Sequence, residues 1–412
     1  MRLGEICNVV RGSSPRPQGD PKYFGGKIPR LMIADITRDG KYVTPIIDSL
    51  TEEGANKSRP MKKGDVVIAV SGDPGRPCIL AVDACIHDGF VGLRNLDENK
   101  ILKSYLFCFL NYFKLANKRN AVGAIFQNLT TDQVKKIEIP EISINRQRNI
   151  VTILTQAENL ITQRKESILL LDDLLKSTFL EMFGDPVRNE KGWDIKTIEQ
   201  LVTKEKKSIK RGPFGGALKK EIFVEEGYLV YEQYHALNND FTMARYFIDE
   251  DKFNELRGFE VKPDDIIISC SGVYLGKLAI IPKNAKKGII NQALLKLTLD
   301  QDIINNKFFV FLFSHNSFRN NLFGEVRGSG VPNFPPISEF KKFKFIYPSI
   351  DLQMKFVKII TKVETLKGEY QDSLIELENM YGVLSQKAFK GELKVNEYTN
   401  NEVLGMVAET KG

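Results

Sequence analysis

The stretch VKPDDIIISCSGVYLGK, residues 261–277, nearly repeats MKKGDVVIAVSGDPGR at residues 61–76. Matching residues recur at the same spacing, for example Asp65 with Asp265 and Gly72 with Gly272. In both copies a run rich in β-branched residues precedes a glycine-containing turn, which predicts a strand followed by a loop. A unit that occurs twice in 412 residues predicts two similar globular domains, and this length suits roughly two to four domains.

Each copy lies within a longer repeated order of segments. A region rich in glycine and proline comes first, at residues 11–26 and 211–221, where these residues would interrupt a helix. Aromatic runs at residues 105–113 and 308–313 follow the strand-and-loop units and predict a buried helix in each half. The predicted fold class is therefore α+β, with two globular α/β domains arranged as an internal repeat.

A seam of apolar residues, spaced alternately by three and four, ends each half. It predicts two helices of about 35 residues, each ~50 Å long. One polar residue, Arg164 or Lys367, interrupts each seam, as is typical where helix register is fixed. Such helices could form a stalk between chains, but two copies in one chain favour an antiparallel coiled coil with a rough two-fold relation. The predicted seam and docking residues are Leu154, Ile161, Ile168, Leu171, Leu175, Ile360, Val363, Leu374, Leu377 and Leu384.

Composition places the chain among ordinary globular proteins, with 42% hydrophobic and 27% charged residues. No apolar run reaches the ~18–20 residues of a membrane span, and no charged leader with an apolar stretch opens the chain. The five cysteines are never spaced as C-x-x-C, which predicts buried thiols in a reducing cytoplasm. The net charge of +7 is mildly basic and only weakly favours nucleic acid as a partner.

Catalytic and metal-binding patterns are missing from the sequence. The three histidines, His87, His235 and His315, have no second histidine or cysteine at ligand spacing. The run GVYLGK at residues 272–277 is one residue too short for a phosphate-binding loop, and Leu278 replaces the hydroxyl residue that would hold magnesium. We therefore expect a recognition or scaffolding subunit without a metal or cofactor of its own, rather than an enzyme.

Basic and polar residues gather instead in the glycine-rich and proline-rich loops. Arginine and lysine neutralise phosphates, while arginine, asparagine and glutamine can pair with base edges in the major groove. The alternative is that these side chains only solvate the loops. The predicted DNA contacts are Arg11, Ser13, Arg16, Lys22, Tyr23, Arg76, Arg119, Gln127, Asn128, Lys210, Arg211, Tyr274, Lys277, Arg327, Ser329 and Asn333.

The repeated plan resembles the DNA-specificity subunit of Type I restriction–modification systems. The resemblance is carried by GSSPRPQGDPKYFGGKIP from Gly12, by RGPFGGALKKEIFVEEGYLVYEQ from Arg211, by the paired GDVVIAVSG and DDIIISCSG, and by INRQRNIVTIL with IDLQMKFVKII. It implies that each globular unit is a target recognition domain for one half of a bipartite DNA sequence. It also implies that the helices set the gap between half-sites and dock two methyltransferase subunits, which restriction (translocase–nuclease) subunits join. S-adenosylmethionine, ATP and magnesium would then be held by those partners.

The predicted boundaries are recognition domains at 1–144 and 185–350, spacer helices at 145–184 and 351–391, and a tail at 392–412. The first domain lacks a lead like GWDIK at residues 192–196, and the tail could complete its edge. The competing hypothesis is a two-headed assembly scaffold that binds proteins and not DNA. An enzyme with a degenerate active site would need a nucleophile that the sequence does not reveal.

Overall fold

The computed structural model describes residues 1–119, 130–323 and 334–394. The chain forms two compact units, which we call unit 1 (Met1–Glu166 with Asp372–Gly412) and unit 2 (Ser167–Gln371). Each mixes helices with sheets, which confirms the α+β prediction. The units divide each long helix between them, so they differ from the five predicted segments, and those boundaries remain a prediction.

Unit 1 is built on two sheets. One has the strand order β1-β9-β6-β7-β3, and the other has the order β4-β2-β8-β5. The strands are β1 Asn8–Arg11, β2 Phe24–Leu31, β3 Tyr42–Val43, β4 Asp48–Leu50, β5 Arg59–Met61, β6 Val66–Ala69, β7 Pro77–Leu80, β8 Ala84–Ile86 and β9 Phe90–Arg94. The helices are α1 Leu3–Ile6, α2 Ile33–Asp39, α3 Glu52–Asn56, α4 Lys103–Arg119, α5 Thr131–Lys135, the first part of α6 Ile144–Phe183 and the last part of α13 Ile350–Phe389.

Unit 2 repeats this plan with sheets ordered β11-β18-β15-β16 and β13-β12-β17-β14, and it adds the pair β10-β19. The strands are β10 Asp194–Thr197, β11 Ile209–Arg211, β12 Tyr228–Tyr231, β13 Phe247–Ile248, β14 Glu260–Val261, β15 Ile266–Ser269, β16 Leu278–Ile280, β17 Gly288–Ile290, β18 Leu294–Leu297 and β19 Lys344–Tyr347. The helices are the last part of α6, α7 Ile198–Leu201, α8 Gln233–Asn238, α9 Glu250–Glu255, α10 Asn306–Ser314, α11 Asn316–Phe323, α12 Ile337–Phe340 and the first part of α13 Ile350–Phe389.

The repeated stretch forms the central strand of each unit, as the sequence predicts. Every residue of β6 and of β15 is buried, because each strand lies between two neighbours and packs apolar side chains into the core. The aromatic runs fold as α4 and α10, which pack into the same two cores. All five cysteines are buried free thiols, and burial raises the pKa of Cys7, Cys78 and Cys270 to about 12.

The two long helices run antiparallel within unit 1. The Tyr381 hydroxyl on α13 donates to Glu158 Oε1 on α6 at 2.6 Å, and Lys165 Nζ lies 2.7 Å from Glu378 Oε1. As the residue number increases along α6, the number of the facing residue decreases along α13. Leu154 is fully buried in this unit.

The helices are also antiparallel within unit 2. Lys367 Nζ donates to Asp172 Oδ1 at 2.6 Å, so the polar interruption of the second seam forms an ion pair with the facing helix. The rings of Phe179 and Phe356 lie 5.5 Å apart, further along the same pair. Apolar packing and one fixed ion pair together define the register of the helices in this unit.

The segment that precedes the second domain, residues 192–196, has no counterpart in the sequence of the first domain, and the two units differ at this place. In unit 2, β10 pairs with β19, whereas the described residues of unit 1 form an isolated bridge between Arg2 and Glu138 at the matching place. Leu393 packs against the core of unit 1, and the tail beyond residue 394 lies outside the described residues. None of the helices in the described part of the chain has the length and apolarity needed to cross a membrane.

Candidate nucleic-acid interface

Three strands of unit 1 bring loops together at one end of their sheet. Strand β1 ends at Arg11 and β6 ends at Ala69. Strand β9, which lies between these two strands, begins at the same end of the sheet with Phe90. We call this end the loop edge of unit 1. At its base, the Gly12 amide donates to the Phe90 carbonyl at 2.9 Å, and a Cβ on Gly12 would lie 1.9 Å from the His87 carbonyl oxygen. Only glycine fits this close backbone approach.

Unit 2 builds the same edge from the matching strands. Strand β11 ends at Arg211 and β15 ends at Ser269, while β18 begins at Leu294. The Gly212 amide donates to the Leu294 carbonyl at 2.9 Å, and a Cβ on Gly212 would lie 1.9 Å from the Asn291 carbonyl oxygen. This end is the loop edge of unit 2, and its backbone agrees with that of unit 1.

The turns before β9 and β18 are also equivalent. His87 Nδ1 accepts a hydrogen bond from the Gly89 amide at 2.9 Å, and Asn291 Oδ1 accepts one from the Ala293 amide at 3.0 Å. Each side chain caps a turn two residues ahead of itself. An imidazole and an amide therefore hold the same loop shape in the two units.

Two of the predicted contacts in unit 1 extend from the loop edge. The side chains of Arg11 and Arg16 are exposed on the segment that follows β1. Ser13 is partly buried, and its hydroxyl donates to the Lys57 carbonyl at 2.6 Å, which positions the loop. Arg11 and Arg16 are thus exposed on this loop, whereas Ser13 supports the backbone beside them.

The structure contradicts the prediction for Tyr23. Its ring is buried and its hydroxyl accepts a hydrogen bond from Lys57 Nζ at 2.6 Å, so the side chain stabilises the domain instead of facing a ligand. Lys22 beside it is exposed, and its Nζ lies 3.0 Å from Glu53 Oε1. Of these two neighbouring predicted contacts, Lys22 lies at the surface and Tyr23 lies in the core.

Arg76 is also placed differently from the prediction. Its guanidinium donates to the Ile36 carbonyl at 3.2 Å, and Nη1 lies 3.5 Å from Asp73 Oδ2. These bonds tie the loop after β6 to helix α2. Because the guanidinium bonds within the unit, Arg76 has a supporting role in this structure.

The corresponding loop of unit 2 presents its side chains outwards. Tyr274 is 52% exposed, and Lys277 is exposed where the loop returns to β16. Lys210 is partly buried, and its Nζ lies 4.9 Å from the centroid of the Phe259 ring. Tyr274 and Lys277 therefore lie on the loop edge with their polar groups available to a ligand.

The remaining predicted contacts lie outside the residues that the structure describes: Gln127, Asn128, Arg327, Ser329 and Asn333. Arg119 ends helix α4, and its side chain is also outside that description. Both undescribed segments adjoin described parts of the units. In unit 2 the Phe334 amide donates to the Cys270 carbonyl at 3.2 Å, so Phe334 lies beside the end of β15.

Sequence reasoning missed Phe214. This side chain is 65% exposed on the loop edge of unit 2, and the Arg211 guanidinium lies 5.0 Å from the centroid of its ring. The equivalent residue of unit 1 is Ser14, which donates to Asp88 Oδ1 at 2.8 Å and accepts from Arg30 at 3.0 Å. Aligning the two copies on Gly12 and Gly212 would have revealed this exchange.

Electrostatics differ between the two edges. The hydrogen bond from Ser14 lowers the pKa of Asp88, so unit 1 carries an anionic carboxylate at its edge. Burial lowers the pKa of His87 although Asp88 opposes this shift, which keeps the imidazole neutral as an acceptor at neutral pH. Unit 2 has the uncharged Asn291 at the position of His87.

The long helices carry a second candidate surface. The predicted seam and docking residues are buried or partly buried, and their role in docking remains a prediction. Other apolar side chains of the same helices are exposed, with Leu169 and Leu170 at 65% and 66%. The exposed set is Leu160, Leu169, Leu170, Leu174 and Leu180 on α6, and Met354, Ile375, Met380 and Val383 on α13.

Comparison with known families explains the duplicated edge. A family model described as the Type I restriction modification DNA specificity domain matches residues 1–170 and again residues 190–378. The chain belongs to this family. Two matches in one chain also confirm the internal repeat that the stretch at residues 261–277 predicts.

Individual relatives agree with the family assignment. The Type I restriction enzyme MjaIX specificity subunit of Methanocaldococcus jannaschii is 21% identical over 96% of this chain and 93% of its own length. A chain from a study of complex assembly and conformational transition in the type I R-M system has a TM-score of 0.60 at 17% identity, covering 95% of this chain and 97% of that one. An S subunit from M. genitalium has a TM-score of 0.50 at 16% identity, with 96% of each chain covered. At such identities the two structures show the fold alone.

Membership of this specificity family makes DNA recognition the function of the chain and does not support the protein-only scaffold. The relative is named as a specificity subunit, which agrees with the expectation that this chain recognises a target.

Proposed function

We propose that each loop edge recognises one half of a bipartite DNA target. The observation that carries the proposal is the duplicated backbone at Gly12 and Gly212, which supports different side chains in the two units. Arg11 and Arg16 at one edge, and Arg211 and Lys277 at the other, supply positive charge for phosphates and donors for base edges. Helices α6 and α13 each contribute to both units, which supports a role in fixing the gap between half-sites.

Salt-dependent DNA binding by the assembled complex tests this proposal. Arg11→Ala with Arg16→Ala, or Arg211→Ala with Lys277→Ala, should weaken binding to a target duplex. The slope of log K against log salt is negative, and each phosphate that is no longer neutralised should reduce its magnitude by about 1. Lys342→Ala with Lys344→Ala removes two exposed positive charges elsewhere in unit 2 and is the matched control. Equal weakening in the control and in both edge variants would reject the proposal.

We also propose that Leu169, Leu170 and Leu174, which are exposed on the part of α6 that belongs to unit 2, form a docking face for the modification subunits. Large exposed leucines clustered on one helix are costly in water unless a partner covers them. Leu169, Leu170 and Leu174 occupy neighbouring turns of α6, which gives such a partner a continuous apolar contact. The partners, including restriction subunits that join the complex, would hold S-adenosylmethionine, ATP and magnesium.

Co-purification with the modification subunit tests the docking face. Leu169→Glu with Leu170→Glu should reduce complex formation strongly, because two charges would be buried against an apolar partner. Ile46→Glu with Ile47→Glu is a matched control, since both residues are exposed on a loop of unit 1. The chain alone should keep its unfolding temperature in both variants. Normal complex formation by the helix variant would refute the docking face.

A further inference from the structure

Phe214 is held outwards by a fixed backbone. Gly212 and Pro213 before it are buried, and the Gly212 amide is bonded to the Leu294 carbonyl at 2.9 Å. The close approach of Gly212 to Asn291 prevents the loop from sliding inwards. The 65% exposure of the Phe214 ring is therefore imposed by the loop geometry.

The ring lies among groups suited to the major groove. Arg211 and the loop that carries Tyr274 and Lys277 share its sheet end, since β11 and β15 both finish there beside the start of β18. An exposed phenylalanine at such an edge offers an apolar surface, and the only strongly apolar group on the major-groove face of a base pair is the thymine methyl. Phenylalanine is one of the side chains that contacts this methyl group.

The position of Arg211 favours contact of the Phe214 ring with the groove over its intercalation between base pairs. Its guanidinium lies over one face of the Phe214 ring, 5.0 Å from the centroid, and its Nε is buried without a hydrogen-bond partner among the described residues. A ring covered on one face cannot be sandwiched between two base pairs. The free face and edge remain available to a methyl group in the groove.

We infer that Phe214 is a specificity-determining residue of unit 2, which contacts the 5-methyl group of a thymine in the half-site bound by that unit. The inference rests on the proposed division of the target between the two loop edges. Ser14 occupies the equivalent position in unit 1 within a polar network, so this apolar contact is specific to unit 2.

Replacing thymine by deoxyuridine tests the inference, because the change removes only the methyl group. In the assembled complex, substitution at one thymine of the unit 2 half-site should weaken binding about 5-fold or more. In Phe214→Ala, thymine and deoxyuridine should bind equally at that position. Phe214→Ser, with the residue of the equivalent position in unit 1, should behave in the same way.

Ile195→Ala is the matched control, since Ile195 is 51% exposed on β10, away from the loop edge of its own unit. It should keep the wild-type sensitivity to deoxyuridine. The inference is overturned if no thymine position couples to Phe214, if the half-site contains no thymine, or if Phe214→Ala acts only by weakening association with a partner subunit. Scrambling the half-site tests the division of the target separately from the role of Phe214. If the wild-type complex bound the scrambled duplex as tightly as the intact target, the division of the target would be rejected.

Discussion

In unit 1, Gly12 leads into Ser14, whose hydroxyl lies in a network with Arg30 and Asp88; in unit 2, Gly212 leads into the exposed ring of Phe214. The two glycines make the same backbone contacts with the neighbouring turn. The side chains beyond them have opposite chemistry. The comparison teaches that folding constrains the strands and the glycine contacts, while the outward positions are free to suit different ligands.

The largest expected effect is a loss of stability, which should differ between the cores of the two units. Phe183 in unit 2 and Phe389 in unit 1 end the two long helices and pack against the aromatic helices α10 and α4. Replacing either by alanine should cost about 3–5 kcal/mol, because a buried ring leaves a cavity. The single tryptophan, Trp193, donates to the Phe183 carbonyl at 2.8 Å, so its fluorescence follows unit 2.

The unfolding temperature measured by Trp193 fluorescence should decrease strongly in Phe183→Ala. Hydrogen exchange should show a corresponding decrease in protection for the amides of unit 1 in Phe389→Ala. An equal effect of both variants on the tryptophan signal would mean that the units do not have separate cores.

The second effect concerns the glycines at the two edges. Gly12→Val or Gly212→Val would place a Cβ 1.9 Å from a backbone carbonyl, so the loop must move and recognition of one half-site should fall about 10- to 100-fold. Binding to duplexes with either half-site scrambled measures this decrease. Gly368→Ala on α13 is the control, because nothing lies within 4 Å of its added Cβ. Unchanged affinity in both valine variants would contradict the supporting role of the glycines.

A smaller difference is expected between Arg76 and Lys277, which end equivalent loops. Arg76 bonds to Asp73 and Ile36 within unit 1, whereas Lys277 is exposed. Lys277→Ala should lower the salt slope of DNA binding by about 1 with little change in stability, and Arg76→Ala should mainly lower the unfolding temperature. The reverse pattern would mean that Arg76 leaves its internal bonds when DNA binds.

The smallest effect is the contribution that His87 of unit 1 makes to the pH dependence of stability. Burial lowers the pKa of His87, so the unfolded chain binds a proton more readily, and the stabilising contribution of neutral His87 is lost as pH falls below about 6.5. Protonation also removes the Nδ1 acceptor for the Gly89 amide. His87→Asn copies Asn291 and should reduce the loss of stability between about pH 7.5 and about pH 5.5. An identical loss in the variant would assign the dependence to other groups.

The sequence was sufficient for the parts of the fold that repeat. Residues 61–76 and 261–277 predicted the central strands, and the apolar seam predicted both long helices, because these features depend on local periodicity. The seam did not reveal which outer leucines stay exposed. Leu169 and Leu170 differ from Leu171 only in their direction around the helix.

The site was predicted less completely, because residue type does not determine direction in a loop. Tyr23 and Arg76 have the chemistry of DNA contacts, yet one is buried and the other bonds to its own unit. Phe214 has the chemistry of a core residue, yet the buried Gly212 and Pro213 place it outside. Such directions follow from tertiary contacts between distant segments, such as Gly212 with Asn291.

Selection of bound sequences from a randomised duplex library by the assembled complex tests the central claim most directly. The wild-type complex should select two short half-sites separated by a constant gap. Arg11→Ala with Arg16→Ala should relax one half-site, and Phe214→Ser with Lys277→Ala should relax only the other, with the gap unchanged. Relaxation of the same half-site in both variants, or of both half-sites in each, would contradict the assignment of one half-site to each loop edge.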